Sequence, residues 1–305
     1  MTGSIVLTTH QGLSYLAKDF YDNGIIDLVA VHHHTSRQNH YDWYPNRVSV
    51  EELLDKCDTL LFFETCFSAT ILTEAKKRGI KTILMVMYEC TPPTITKMVD
   101  EIWSPSLLDK KYYPTSKVVK VPVNVKWKLR SKARVFVHNA GNGGLGGRNG
   151  TKELIEAFKH VKSDAKLILR SQIPIKCDNP KIDVRIGQFD DIWNEGDVFV
   201  FPEKFNGLSL PLQEAFASGM MVMAGDRFPM NTWLPSEVLI PVVGYHKEKI
   251  SLEFDCAEYN PKDIAKLIDR WYNCDISAFS LLGKEFNEIH SWKNQKEKLK
   301  ELMSQ

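Results

Sequence analysis

Short apolar runs rich in β-branched and aromatic residues alternate with stretches of helical period along this chain, and that alternation restricts the fold more than any other feature. Residues 4–9 (SIVLTT) read as a strand, and the following segment carries apolar residues at helical spacing up to Gly24. A strand over 25–34 ends in three histidines. Strand 59–65, helix 67–79 and strand 81–90 follow, with short strands at 100–106 and 116–123. The pattern then restarts: strand 133–141, helix 151–162, strands 165–171, 183–189 and 197–202, helix 212–219, strand 220–226 and helix 260–273. Strands that alternate with helices imply parallel sheets with right-handed crossovers. The expected class is α/β, with two Rossmann-like domains. The expected boundaries are 1–127 and 128–285, with a mixed-charge C-terminal helix at 286–305 that has Leu299 and Met303 as its apolar stripe.

A length of 305 residues suits two such domains. The net charge of +1 provides no whole-molecule field toward nucleic acid or membrane. A polyanion therefore has to be met locally, and residues 126–134 (KWKLRSKAR) place a cation at every second position, on one face if extended. Six scattered cysteines form no zinc-spaced set, and the adjacent Asp190–Asp191 pair lacks a D-x-D spacing, so no metal site is expected. No apolar run approaches the roughly 20 residues of a membrane span. The N-terminus lacks a secretory pattern, which points to the cytoplasm.

The candidate chemistry sits where strands end. The strand 197–202 breaks at KFNG, Pro211 falls where a first helical turn tolerates proline, and the helix stops at Gly219. Ligands of α/β sheets bind outside the carboxyl ends of strands, where helix N-termini offer N–H groups to anions. Asn206, Gly207, Leu208 and Ser209 are expected to face such a ligand, with Glu214 just inside the helix and Lys204 two residues before Asn206. Asn139 and Gly141 end an earlier strand that runs into a glycine-rich loop up to Gly150, where the backbone can approach a phosphate and Arg148 adds charge. Arg170 ends the next strand, reaching base or phosphates, or ending in solvent. In the first half, His10 and Gly12 follow the first strand, and His33 and His34 open a segment rich in aromatics that suits stacking on a sugar or base. Contiguous histidines on a strand point to opposite faces, which argues against zinc. Glu89 is the best first-half carboxylate for an acceptor contact.

The run from Phe201 to Gly219 resembles the donor-binding signature of retaining nucleotide-sugar glycosyltransferases of the two-Rossmann (GT-B) type, family 4-like. Gly207, Leu210, Pro211, Glu214, Ala215, Ala217 and Gly219 match in register, and Asn206 replaces the first glutamate of the E-x7-E pair. Asn149 and Gly150 hold the positions of a lysine–glycine pair, ahead of Leu154, Ile155, Ala157 and Phe158 in register. The usual lysine is absent, and Arg148 is its nearest replacement. The resemblance implies two Rossmann-like domains facing each other across a cleft, with the helix at 286–305 packing back on the first domain, and transfer of a sugar from a UDP- or GDP-linked donor to a hydroxyl acceptor, with no metal or other cofactor. Arg148, Lys204 and His10 would serve the reaction, and Glu214 would accept hydrogen bonds from the ribose. Donor contacts would come from Gly12, Asn139, Gly141, Arg148, Asn149, Arg170 and residues 206–209. The acceptor, a glycan or a modified base such as hydroxymethylated phage DNA, would meet His33, His34 and Glu89. A non-catalytic sugar-nucleotide-binding module and a sugar-nucleotide epimerase of the same fold are the alternatives.

Overall fold

The computed structural model describes residues 1–304 except 10–11, 34–38, 143–146, 188 and 190. The chain forms two compact units: one comprises Met1–Val121, Lys249–Glu253 and Trp292–Gln305, the other Pro122–Glu248 and Phe254–Ser291.

The first unit is built on β1 (Thr2–Val6), β2 (Leu28–Val31), β3 (Thr59–Phe63), β4 (Lys81–Met85), β5 (Glu101–Ser104) and β6 (Lys117–Val118), ordered β2-β1-β3-β4-β5-β6 and parallel throughout. Helices α1 (Gly12–Asp22), α2 (Val50–Lys56), α3 (Ala69–Lys77), α4 (Pro93–Thr96) and α5 (Leu107–Tyr112) intervene. Leu60, Leu61, Phe62, Ile83, Leu84 and Met85 are fully buried, as expected of parallel strands covered on both faces. Ser49, Ser68 and Ser106 cap α2, α3 and α5 by accepting a backbone N–H in the first turn, which fixes where these short helices begin.

The second unit repeats the layout with β7 (Val135–Gly141), α6 (Thr151–Ala157), β8 (Lys166–Ser171), β9 (Ile182–Ile186), β10 (Val198–Phe201), α7 (Leu210–Ala217), β11 (Met221–Gly225) and β12 (Leu239–Ile240). Its sheet is ordered β12-β11-β10-β7-β8-β9. Successive strands step outward from β7 to β9, then the chain returns to lay β10 on the other side of β7. The strand order reverses there, so the carboxyl ends of β7 and β10 flank a topological switch point.

Several expected elements changed. The strand read over 25–34 is only Leu28–Val31, because Ile25 and Ile26 are buried while the chain is still turning out of α1. A two-stranded sheet of β13 (Val242–Lys249) and β14 (Glu253–Tyr259) was not anticipated, since β13 is mostly polar and carries Gly244. Beyond α8 (Pro261–Trp271), two helices close the chain, α9 (Ser277–His290) and α10 (Trp292–Ser304). Leu299 and Met303 are buried on α10, and Trp292 meets Phe20 of α1 edge-on with ring centroids 5.1 Å apart. The alternating cations of 126–134 do not share one face. Arg130 is buried and donates to the carbonyls of Lys128, Trp193, Gly196 and Ser218, whereas Lys126, Lys128, Lys132 and Arg134 are exposed.

Candidate functional site

The two loops that leave β7 and β10 meet at the switch point. Gly150 adopts φ +71°, and a Cβ there would lie 2.0 Å from the Pro202 carbonyl oxygen. Two residues further along the second loop, the Lys204 N–H donates to the Arg148 carbonyl at 2.7 Å. Glycine is required at 150 twice over, for its left-handed backbone and for its lack of a side chain.

A buried histidine ties this junction to the sheet. His138 on β7 donates from Nδ1 to the Val200 carbonyl of β10, and its Nε2 accepts from the Thr151 hydroxyl at the start of α6, both at 2.8 Å. A carbonyl can only accept, so the proton resides on Nδ1. Burial drives the imidazole pKa down to about 4, which keeps the ring neutral.

The loop 202–209 is built by its own residues. The Asn206 Oδ1 accepts the Ser209 N–H at 2.8 Å, and Ser209 is left-handed at φ 43°. Neither Gly150 before α6 nor Ser209 before α7 provides a side-chain cap. Gly207, Leu208 and Ser209 are buried, while Arg148, Asn149, Asn206 and Glu214 are half-buried.

Several candidates are differently engaged from the sequence reading. Lys204 does not stand as an uncompensated cation: its Nζ pairs with Glu153 Oε1 at 2.7 Å. Arg170 is not a solvated strand end. Its side chain is 5% exposed and donates to the Ile192 carbonyl at 2.9 Å, to Glu195 Oε2 at 3.1 Å and weakly to Asn139 Oδ1 at 3.5 Å. Burial lowers its pKa, which Glu195 opposes. Asn139 is thereby held inward, with its Nδ2 buried and unbonded among the described residues. Asn149 donates to the Ala140 carbonyl at 2.9 Å and so supports its own loop. Gly141, at φ 58°, lies where the β7–β8 register shifts.

In the first unit, Gly12 is the first residue of α1 and has no described atom within 4 Å of a Cβ placed there, so the backbone is open to close approach. His33 is exposed, stacks on Tyr41 at 8° between ring planes and shares a hydrogen bond with its hydroxyl, while Arg47 lies 5.3 Å over the same ring. Glu89 is 4% exposed, and its carbonyl accepts the Ser251 N–H at 2.9 Å. Burial, with the Glu89 charge added, pushes the pKa of Asp109 up to about 6. His10 and His34 lie outside the described residues.

The sequence reading missed a buried ion pair in the second unit. Arg227 Nη2 lies 2.9 Å from Glu203 Oε1, with the side chains 5% and 1% exposed. A carboxylate immediately after the apolar run 197–202, and an arginine immediately after the run 220–226, were the available signals. Two open cavities, of about 400 and 670 Å³, lie at the opposite edge of the sheet among the strand starts, including Val135, Lys166 and Asp197. Ligands of such sheets sit at the other edge, where the loops meet. No group of histidine, cysteine and carboxylate side chains suited to a metal occurs among the described residues, and no described helix is long and apolar enough to cross a membrane.

No family model matches the sequence, and no curated protein matches it. Solved structures do. The pneumococcal O-GlcNAc transferase GtfA in complex with UDP and GlcNAc is 14% identical over 84% of this chain, with a TM-score of 0.57. This chain spans 58% of that protein's length. HepE of Anabaena, in complex with UDP and glucose, is 11% identical over 100% of this chain and 98% of its own, with a TM-score of 0.68. Sucrose-phosphate synthase of Thermosynechococcus elongatus is 12% identical over 100% and 98%, with a TM-score of 0.66. The fold is GT-B: two parallel six-stranded sheets with flanking helices.

Proposed function

We propose that this protein is a retaining glycosyltransferase that moves a sugar from a nucleotide-sugar donor to a hydroxyl acceptor without a metal. One observation carries the reading. The glycine-rich loop bearing Arg148 and the 201–219 run are hydrogen-bonded to each other at the switch point of the second-unit sheet. Structures of the same fold are complexes with UDP, which favours a UDP-linked donor.

The chemistry follows from charge. Cleavage of the bond between the sugar C1 and the diphosphate oxygen leaves negative charge on the diphosphate and positive charge on the sugar. Arg148 and the uncapped start of α7 would face the diphosphate, and preorganised donors aimed at developing charge are usually the largest single contribution to rate. The acceptor oxygen bonds to C1 on the face the diphosphate leaves, and its proton passes to a diphosphate oxygen. Glu214 would hold the ribose hydroxyls. Lys204, already paired with Glu153, acts by shaping the loop more than by its net charge. The acceptor, a glycan or a modified nucleic-acid base, is assigned to the first unit, near His33 and Glu89.

A binding module without catalysis is the second reading, favoured by the engagement of Asn206 and Lys204 within the loop. Incubation of the purified protein with a panel of nucleotide-sugars, followed by mass spectrometry, separates the two. Slow release of free sugar in the absence of acceptor is expected of the enzyme. Binding of a nucleotide-sugar with no turnover of any donor, with or without acceptors, would leave the module.

A further inference from the structure

Beneath the loop 202–209 lies a charge network that the proposed reaction does not itself call for. Arg227 follows β11 and directs its guanidinium inward. Its Nε donates to the Glu203 carbonyl at 3.0 Å, and its Nη1 donates to the carbonyls of Asn206 at 3.0 Å and Phe228 at 3.2 Å. The Tyr259 hydroxyl donates to the Glu203 carbonyl as well, at 2.7 Å. Gly225 leaves the room for this, since a Cβ there would lie 1.8 Å from the Tyr259 oxygen. One arginine therefore holds both ends of the segment Glu203–Asn206.

The Glu203 carboxylate completes the network. Burial pushes its pKa up, while the charges of Arg227 and Arg148 and the polar groups of Ser209 and Asn206 favour the ionised form. The segment that Arg227 clamps is in turn bonded to the Arg148 loop, since the Lys204 N–H within it donates to the Arg148 carbonyl at 2.7 Å. In the family signature a glutamate stands at the position of Asn206; here a glutamate stands three residues earlier and points inside. An unpaired buried carboxylate would be costly, and the arginine pairing makes it tolerable.

Resting on the reading of Arg148 as the donor-phosphate cation, we propose that Glu203 and Arg227 are positioning residues: Arg227, held by its pairing with Glu203, fixes the loop through its carbonyls, and the loop holds Arg148 in place through the Lys204 N–H. Removal of Glu203 then acts on turnover through Arg148, and the two residues do not contribute independently.

The test is a double-mutant cycle on the full chain, with kcat for donor turnover measured at saturating UDP-sugar, alongside UDP affinity by calorimetry and the thermal midpoint. Glu203→Gln is expected to keep the thermal midpoint within a few degrees and lower kcat about ten-fold or more. With Arg148→Ala already present, adding Glu203→Gln is expected to cost little further. If Glu203→Gln does not fold, Glu203→Gln with Arg227→Met removes both charges at once and enters the same cycle. Effects of Glu203→Gln and Arg148→Ala that multiply, or native kcat in Glu203→Gln, overturn the proposal. A wild-type protein that neither binds UDP nor turns over any nucleotide-sugar sinks the transferase reading instead, so the two failures are distinguishable.

Discussion

Replacing Gly150 by alanine probes the junction that builds the site, and its cost can be worked from geometry. The residue adopts φ +71°, where an L side chain costs about 1–2 kcal/mol. The new Cβ would lie 2.0 Å from the Pro202 oxygen and 2.8 Å from the Pro202 carbonyl carbon and Cγ. These are backbone and ring atoms, so no rotamer change relieves the clash and the two loops have to part. Overpacking of this kind adds about 1–3 kcal/mol, for a total of about 2–5 kcal/mol. That is a large fraction of the 5–15 kcal/mol by which proteins are usually stable. Parting the loops also strains the Lys204-to-Arg148 hydrogen bond, so UDP affinity falls with stability. Gly147 is the control, with φ +70° but no described atom within 4 Å of an added Cβ, so Gly147→Ala carries only the backbone cost. Urea unfolding of both variants, read as midpoint and slope, measures the difference. Equal midpoints for the two variants would refute the packing argument.

Arg148→Ala is expected to lower turnover by roughly two to three decades with the fold intact, as loss of one preorganised donor does; an unchanged rate at saturating donor removes Arg148 from the reaction. Glu214→Ala should weaken UDP binding by about 1–3 kcal/mol through lost ribose contacts, read by calorimetry, and unaltered affinity would exclude the residue. Donor turnover is expected to survive EDTA; complete loss on chelation, restored by magnesium or manganese, would place a metal in the site. His138 has a folded pKa near 4, below its unfolded value of about 6.5, so its contribution is present above pH 6.5 and is lost as the pH falls toward 4. That loss reaches about 3 kcal/mol, at about 1.4 kcal/mol per pH unit. Asp109 works in the opposite sense, its folded pKa near 6 favouring the fold as the pH falls below that value. The comparison is therefore between wild type and His138→Gln, and identical pH slopes for the two would contradict the burial argument.

The α/β class was legible in the sequence because hydrophobic period is a local property. Runs such as Leu60–Phe63 and Val198–Phe201 are apolar along their whole length and end up buried between helix layers, as parallel strands must. The reversal after β9 that brings β7 and β10 together is a matter of strand order, which no local period encodes. Nor does local sequence encode which charges pair. Lys204 reads as a loop cation until Glu153, far away in sequence, comes to 2.7 Å. Arg130 reads as part of a solvated face, and Arg170 as a ligand contact or a solvated strand end, until their guanidinium groups are found inside, donating to main-chain carbonyls. Glu203 is marked in the sequence only by its place after an apolar strand, and its character depends on Arg227, 24 residues further along, reaching it in the interior. Burial and pairing decide whether a charge meets ligand or protein, and both arise only when distant segments pack together.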